Sequence, residues 1–261
     1  MKLIRPVGGK NQGFMSETFA LTRLLIQLFG GVLASGLQAV GVPADKAAEQ
    51  SAAILGAYSL EILVVCGLIA FFAVVRMTLS VERPNPAQHL AEMIHEAIGG
   101  QAEQVIGHGY QRFQAWVTCV FLFVLINNLL GLIPGVAAPT TTLWVPLGLA
   151  FPTFLYYNFY GLKEQGFVGY MKHFAGPVPA LSPLLFVIEL VSHLARIMSL
   201  TVRLYANMFA GDLVTLVFFS LIPVGIPIIF LGLHLAVSMI QAFVFMLLTM
   251  IYLSLAVAHE H

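Results

Sequence analysis

Charge is scarce in this chain. Of 261 residues, 12 are lysine or arginine and 12 are aspartate or glutamate, 9% in all, against about 25% in a typical soluble domain. With 59% hydrophobic residues, that scarcity excludes an ordinary soluble enzyme. No basic stripe accompanies aromatic platforms, so nucleic acid has no electrostatic footprint to bind. There are only two cysteines, Cys66 and Cys119; both lie in apolar runs and read as small hydrophobes, neither a disulfide nor a metal pair. A Gly-x-x-x-x-Gly-Lys phosphate loop is missing. So are a fixed-period repeat, a low-complexity tract and a soluble insertion long enough to be a second domain.

What the chain has instead is length of apolar sequence. A spanning helix needs about 20 mostly apolar residues, and such windows lie at 53–75, 115–133 and 143–160, followed by two longer ones at 182–221 and 226–258. The expectation is an all-α integral membrane protein with about five membrane helices, the last two forming a long, strongly tilted C-terminal hairpin. Between Pro183 and Pro223 no proline interrupts the chain. About 40 helical residues reach roughly 60 Å, twice the hydrocarbon thickness, so that helix is either tilted or broken. Residues 51–261 read as one membrane domain. Residues 1–50 form a separate N-terminal segment in which Lys2, Arg5, Lys10 and Arg23 precede a charge-free run at 24–42, the pattern of a signal peptide, a sixth span or an interfacial helix.

Loop cations set orientation, because juxtamembrane lysine and arginine stay on the cytoplasmic side. The connection from Arg76 to Arg112 holds Arg76, Arg83 and Arg112, and the one after the third span holds Lys163 and Lys172, whereas 134–142 and 222–227 hold none. The first two are therefore expected inside, with the terminal His259, Glu260 and His261. Residues 84–107 place Leu90, Met93, Ile94, Ala97 and Ile98 at helical spacing, with Glu92, Glu96 and Glu103 on other faces, which predicts an amphipathic helix on the cytoplasmic surface. His89, His95 and His108 are six and thirteen residues apart and do not converge on one face, so no metal site is expected there.

Inside the first long C-terminal window sit Glu189, Arg196, Arg203 and Asp212. Ionisable groups at membrane depth cost roughly 2.5 to 3.5 kcal/mol each on insertion scales and normally face water, protein or one another. Glu189, Ser192, His193, Arg196, Ser199 and Arg203 follow steps of three or four and form one polar stripe, which Asn207 continues. Asp212, nine residues beyond Arg203, points to the opposite face. The final helix carries His234 and Gln241 on one face. In an antiparallel hairpin, residues at equal depth have a constant index sum; this levels Asp212 with His234 near the outer side and Arg203 with Gln241 deeper, if the two tilts are similar. Glu189 falls toward the cytoplasm.

Each polar residue has a plain structural reading beside a functional one. Gln241, Ser192 and Ser199 are compatible with bonds across a helix interface, and His234 with a satisfied core histidine. Arg196 is near enough to the inner boundary to snorkel. Glu61, alone in the first span, faces either water or a partner helix. Arg203 differs, because a guanidinium cannot shed its charge and needs a partner or water. A fixed cation between two titratable groups repels a proton at the midpoint. It suits two offset half-paths that a proton joins only by riding past the arginine on something else.

The segment Ser199 to Asp212, Ser-Leu-Thr-Val-Arg-Leu-Tyr-Ala-Asn-Met-Phe-Ala-Gly-Asp, closely resembles the signature of subunit a of bacterial F-type ATP synthases, the ATP6 family. Further matches are Asn128-Leu-Leu-Gly-Leu-Ile-Pro134, the helix from Gln88 to Glu96, and His234 to Gln241 with its continuation; together they cover about residues 50–258. The resemblance implies a proton-conducting, non-catalytic stator subunit in the bacterial inner membrane. Multi-pass, with its C-terminus cytoplasmic, it would lie against a ring of c subunits, beside b-type peripheral stalk subunits and the remainder of the complex. It implies that Arg203 attracts each deprotonated ring carboxylate and keeps protons from short-circuiting. Asp212 and His234 would line the outer path, Gln241 and Asn207 would neighbour the arginine, and Glu189, Ser192 and His193 would serve the inner path. No cofactor and no nucleotide site is implied. The family more usually has glutamate where Asp212 stands, and many members have an Asp-x-Asn element where this chain has Ala138-Pro-Thr-Thr-Thr. The alternative from the residues alone is a secondary transporter with a midplane solute site, which internal duplication and paired helix breaks would favour; neither is present.

Overall fold

A computed structural model describes residues 20–80, 85–133, 138–175, 182–221 and 225–257. They form seven α-helices and a short 3₁₀ turn, with no strand among them: α1 (Ala20–Ala39), α2 (Ala44–Met77), α3 (Pro86–Ile106), α4 (Gln111–Leu130), the turn Pro139–Thr141, α5 (Trp144–Ala175), α6 (Ser182–Leu221) and α7 (Ile226–Val257). Arg83, residues 222–224 and the terminal His259, Glu260 and His261 lie outside the described residues, as does the side chain of Lys172.

By length and composition, four helices among the described residues can cross a membrane: α2, α4, α6 and α7. The expected third span falls on α5, which is 32 residues long but diluted in hydropathy by Pro152, Asn158 and its tyrosines. The exposed apolar surface of the spanning helices is what lipid requires. Only 11% of the most apolar window is buried on α2, 17% on α6 and 28% on α7, against 50% on α4. Helix α4 is thus the centre of the bundle, and α6 and α7 present broad apolar faces outward.

The N-terminal run at 24–42 is largely helical. Thr22 Oγ1 and Ser59 Oγ share a 2.6 Å hydrogen bond, and Gly30 lies close to Leu55. The two index sums nearly agree, so α1 packs antiparallel on α2. The amphipathic helix begins where Pro86 can start one, after the extended Asn85, and stops at Gly107, whose φ of 81° suits glycine. Gln88 ties its start to the end of α2: its amide oxygen accepts from Ser80 N at 3.1 Å, and its Nε2 donates to Ser80 O at 3.2 Å and to Glu92 at 2.7 Å. Its buried face carries Ile98, Gly99 and Ala102, with Ile94 against the same core, while Leu90 and Met93 stay exposed. His89 lies 3.9 Å from Glu92.

Helix α6 is continuous over 40 residues, so it is not broken despite a length of about 60 Å. Helix α5 is interrupted at Gly166, with φ 70° and ψ 164°. The chain beyond it folds back, setting Tyr170 against Gly161; a Cβ on Gly161 would stand 2.8 Å from the Tyr170 ring. At that end of the bundle Arg112 pairs with Glu164, and Gln165 donates to Ala256 O at 3.1 Å. The connections rich in cations therefore share one end with the C-terminus of α7. At the other end Thr140 donates to Asn128 Oδ1 at 2.9 Å, which seats the 3₁₀ turn over the last turn of α4.

Candidate functional site

Helices α6 and α7 pack as an antiparallel pair along which polar groups meet at intervals. Near the Asn128–Thr140 end, Asp212 Oδ1 lies 3.6 Å from His234 Nδ1. His234 is buried and Asp212 is 29% exposed, so the pair has one inner and one accessible member. Gly211 makes the approach feasible, since a Cβ there would stand 2.9 Å from His234 Nδ1. Gly131 on α4 closes the other flank, its absent Cβ 3.5 Å from Asp212 Oδ1. The short aspartate side chain thus comes within ion-pair distance of the imidazole.

One turn along, Ser238 contacts Met208 Sδ at 3.9 Å, and Asn207 Nδ2 donates to Gln241 Oε1 at 3.0 Å. Gln241 is buried, and its own Nε2 has no hydrogen-bond partner. Gln241 thus bonds with Asn207, one turn beyond Arg203, and among the described residues no side-chain hydrogen bond joins it to Arg203. The index sum is 446 at Asp212 and His234 and 448 at Asn207 and Gln241, so the side-chain contacts do not all fall on one sum.

Arg203 is half-buried on α6. Among the described residues no carboxylate pairs with it and no side chain or carbonyl accepts a hydrogen bond from it. A guanidinium with five donors and a charge it cannot lose is thus left without a partner among the described residues. It lies nine residues, about 14 Å of helix, from Asp212 and fourteen residues, about 21 Å, from Glu189.

Glu189 belongs to a second cluster. Its Oε1 lies 3.3 Å from His193 Nδ1 and 3.5 Å from Arg196 Nη2. Arg196 also stacks over the Tyr252 ring at 5.2 Å from its centroid, so it is a partner inside the bundle and does not snorkel. His193 is buried; its Nε2 lies 3.4 Å from Tyr170 Oη, whose hydroxyl donates to Asn158 Oδ1. The polar stripe is thus divided. Glu189, His193 and Arg196 come together; Ser199 bonds only to Arg196 O, at 3.2 Å; Ser192 is half-buried with no side-chain hydrogen bond among the described residues. Tyr170, Asn158 and Tyr252 are members that periodicity within α6 cannot reveal. Away from the hairpin, Glu61 lines a cavity of about 200 Å³ with Tyr58, Phe123, Trp144, Val145, Gly148 and Leu149.

Two carboxylate–imidazole pairs, one toward each end of the hairpin, with a solitary arginine between them, can receive and release protons at different depths.

Comparison with known proteins identifies the family. The sequence profile of the ATP synthase A chain family matches residues 58–254. The ATP synthase subunit a of Koribacter versatilis is 48% identical over 247 residues, which is 95% of this chain and 100% of that one. The subunit a of Solibacter usitatus is 47% identical over 203 residues, 78% of this chain and 87% of the relative. That of Bdellovibrio bacteriovorus is 47% identical over 171 residues, 65% and 74% of the two. With a match across most of its length and relatives approaching half identity, the chain belongs to the ATP synthase A chain family.

Proposed function

We propose that this membrane-sector subunit of an F-type ATP synthase is the proton-conducting stator, supplying two offset half-channels to a rotating c-ring with Arg203 as the barrier between them. The observation that carries the reading is the unpaired Arg203 guanidinium, set between the Asp212–His234 pair and the Glu189–His193–Arg196 cluster. A buried or half-buried arginine at membrane depth needs a counter-charge, and none stands beside it among the described residues. A carboxylate on a partner helix fits that need. It is attracted to Arg203 while ionised and released once protonated.

In this reading protons enter through Asp212 and His234 with Asn207 and Gln241 beyond them, neutralise a ring carboxylate, and leave after a near-complete turn through Glu189, Ser192 and His193. One charge crossing 100 mV gains about 2.3 kcal/mol, so several protons are accumulated through rotation for each ATP. The subunit itself does no nucleotide chemistry. It works in a complex with the c-ring, b-type peripheral stalk subunits and the nucleotide-bearing sector, in a bacterial inner membrane. The Arg112–Glu164 end and the C-terminus face the cytoplasm. Residues 1–50 are an N-terminal segment joined to the 51–261 membrane domain through α2, which runs across the boundary.

Cross-linking tests the docking. Cys66 and Cys119 are both exposed and are first replaced by serine. Ala206, exposed one turn past Arg203, is then changed to cysteine, as is Ile69 on the outer face of α2, 64% exposed, in a separate variant. Oxidation of the assembled complex is expected to join Ala206→Cys to a cysteine placed beside the ring carboxylate and to leave Ile69→Cys unlinked. The opposite pattern would contradict the assignment.

A further inference from the structure

Glu61 belongs to neither cluster of the hairpin. Between Glu49 and Arg76 it is the one charged residue in the sequence of α2, about 18 Å of helix from the first and about 22 Å from the second. It is half-buried, and among the described residues neither its carboxyl nor the Tyr58 hydroxyl makes a hydrogen bond or an ion pair. Both line the cavity of about 200 Å³, whose other walls are Phe123 of α4 and Trp144, Val145, Gly148 and Leu149 of α5. A Cβ on Gly148 would meet nothing within 4 Å, so the space over that glycine is open. Leu149 packs against an apolar core that includes Leu204 and Met208 of α6, which supplies no polar link from this cavity to the hairpin.

A carboxyl among three aromatic side chains is chemistry for an organic cation. A bare carboxylate at this depth is costly unless a counter-charge stays with it. Aromatic rings such as those of Tyr58, Phe123 and Trp144 attract cations to their faces, and a mostly apolar cavity with one or two polar groups is the usual form of a small-molecule site. A metal ion or a quaternary ammonium would have to cross hydrocarbon charged. An amine crosses as its free base.

We propose that the Glu61 cavity is a binding site for the amino group of a lipophilic amine, reached from lipid past Tyr58 and Trp144, which are both exposed. The O–H bond of the Glu61 acid breaks as an N–H bond forms on the amine nitrogen, and the resulting carboxylate and ammonium stay paired in the cavity. The volume suits the amino group and a few carbons. The rest of an alkyl chain lies along the exposed Ile62 and Val65 beside Glu61. A phospholipid amine matches less well, because its headgroup would have to leave the interface for the middle of the span.

The test uses the assembled complex in phosphatidylglycerol nanodiscs and an octylamine carrying a diazirine, with the matching octanol as control. After irradiation the amine is expected to label peptides containing Tyr58 and residues 144–149, and the octanol to show no such preference. Glu61→Gln keeps the shape of the side chain and should lower that labelling about tenfold, the effect of losing one charge-assisted hydrogen bond. Gly148→Leu fills the cavity, keeps the carboxyl and should lower it at least as far, which holds the test open if Glu61→Gln assembles poorly. Both variants should conduct protons and make ATP as the unaltered complex does. Equal labelling by amine and octanol, or labelling unchanged in Glu61→Gln, would overturn the site. So would displacement of the octylamine by phosphatidylethanolamine at equal concentration, which would give the cavity to a lipid headgroup. Proton flux lost in Glu61→Gln would overturn it by placing Glu61 on a proton route, and the reading of Asp212, Arg203 and Glu189 would stand.

Discussion

Replacing Arg203 by alanine is expected to abolish coupled ATP synthesis. The complex should still assemble, because Arg203 makes no ion pair or hydrogen bond to another described residue and its loss leaves no buried partner stranded. What disappears is the attraction for an ionised carboxylate, roughly 4 kcal/mol at about 4 Å and an effective dielectric of about 20. That corresponds to about a thousandfold in the balance between a docked and an undocked carboxylate. Proton-driven ATP production in reconstituted vesicles should drop by at least about a hundredfold, while passive proton movement through stripped membranes persists, because the barrier between the half-paths is gone. Arg203→Lys keeps a charge but replaces the rigid planar fork with a flexible ammonium that can deprotonate when desolvated. It should restore only a minor part of the activity. An alanine variant that makes ATP at the normal rate would remove the residue from the mechanism.

The second large effect is expected at the outer pair. Asp212→Asn keeps the size of the side chain and removes its ability to take up and release a proton 3.6 Å from His234. Positioned acid–base groups typically contribute about a hundredfold or more, and water leaking around the site offsets part of that, so proton-driven synthesis should slow by about ten- to a hundredfold. Asp212→Glu should be near wild type, since the longer side chain bears the same group. The control for simple misfolding is the amount of assembled complex, which both substitutions should leave unchanged. Asp212→Asn with unaltered flux in membrane vesicles would count against an entry path at this pair.

Much of this arrangement is legible in the sequence. Long apolar windows give the α2, α4, α6 and α7 helices, and the proline-free stretch gives an uninterrupted α6. The pairing of Asp212 with His234 follows from an antiparallel index sum, because both residues lie close to the turn, where a small error in tilt has little distance over which to grow. Deeper in the hairpin the same arithmetic fails by one helical turn. Gln241 meets Asn207 and not Arg203, because a long side chain can bond one turn from its own level and an index sum does not choose between turns. Arg196 was readable as a member of the stripe, yet its partners were not. A flexible arginine can reach back along its own helix to Glu189 or across to Tyr252, and spacing does not choose between them. Tyr170 and Asn158 were hidden for another reason. Their approach to His193 depends on the turn at Gly166, where φ of 70° redirects a chain whose composition reads as a continuing helix. The orphaned Nε2 of Gln241 is likewise a property of packing between helices, invisible to any single helix's pattern.

The central claim is that Arg203 faces the revolving carboxylates of the ring. It is tested most directly by measuring, in a structure of the assembled membrane sector, the separation between the Arg203 guanidinium and the nearest ring carboxylate. The account predicts that the ring lies along the exposed face of α6 and α7, with that carboxylate within about one water of the guanidinium, the reach of a direct or water-bridged contact. A ring seated against α2 or α4 instead, leaving Arg203 among lipid headgroups, would contradict it.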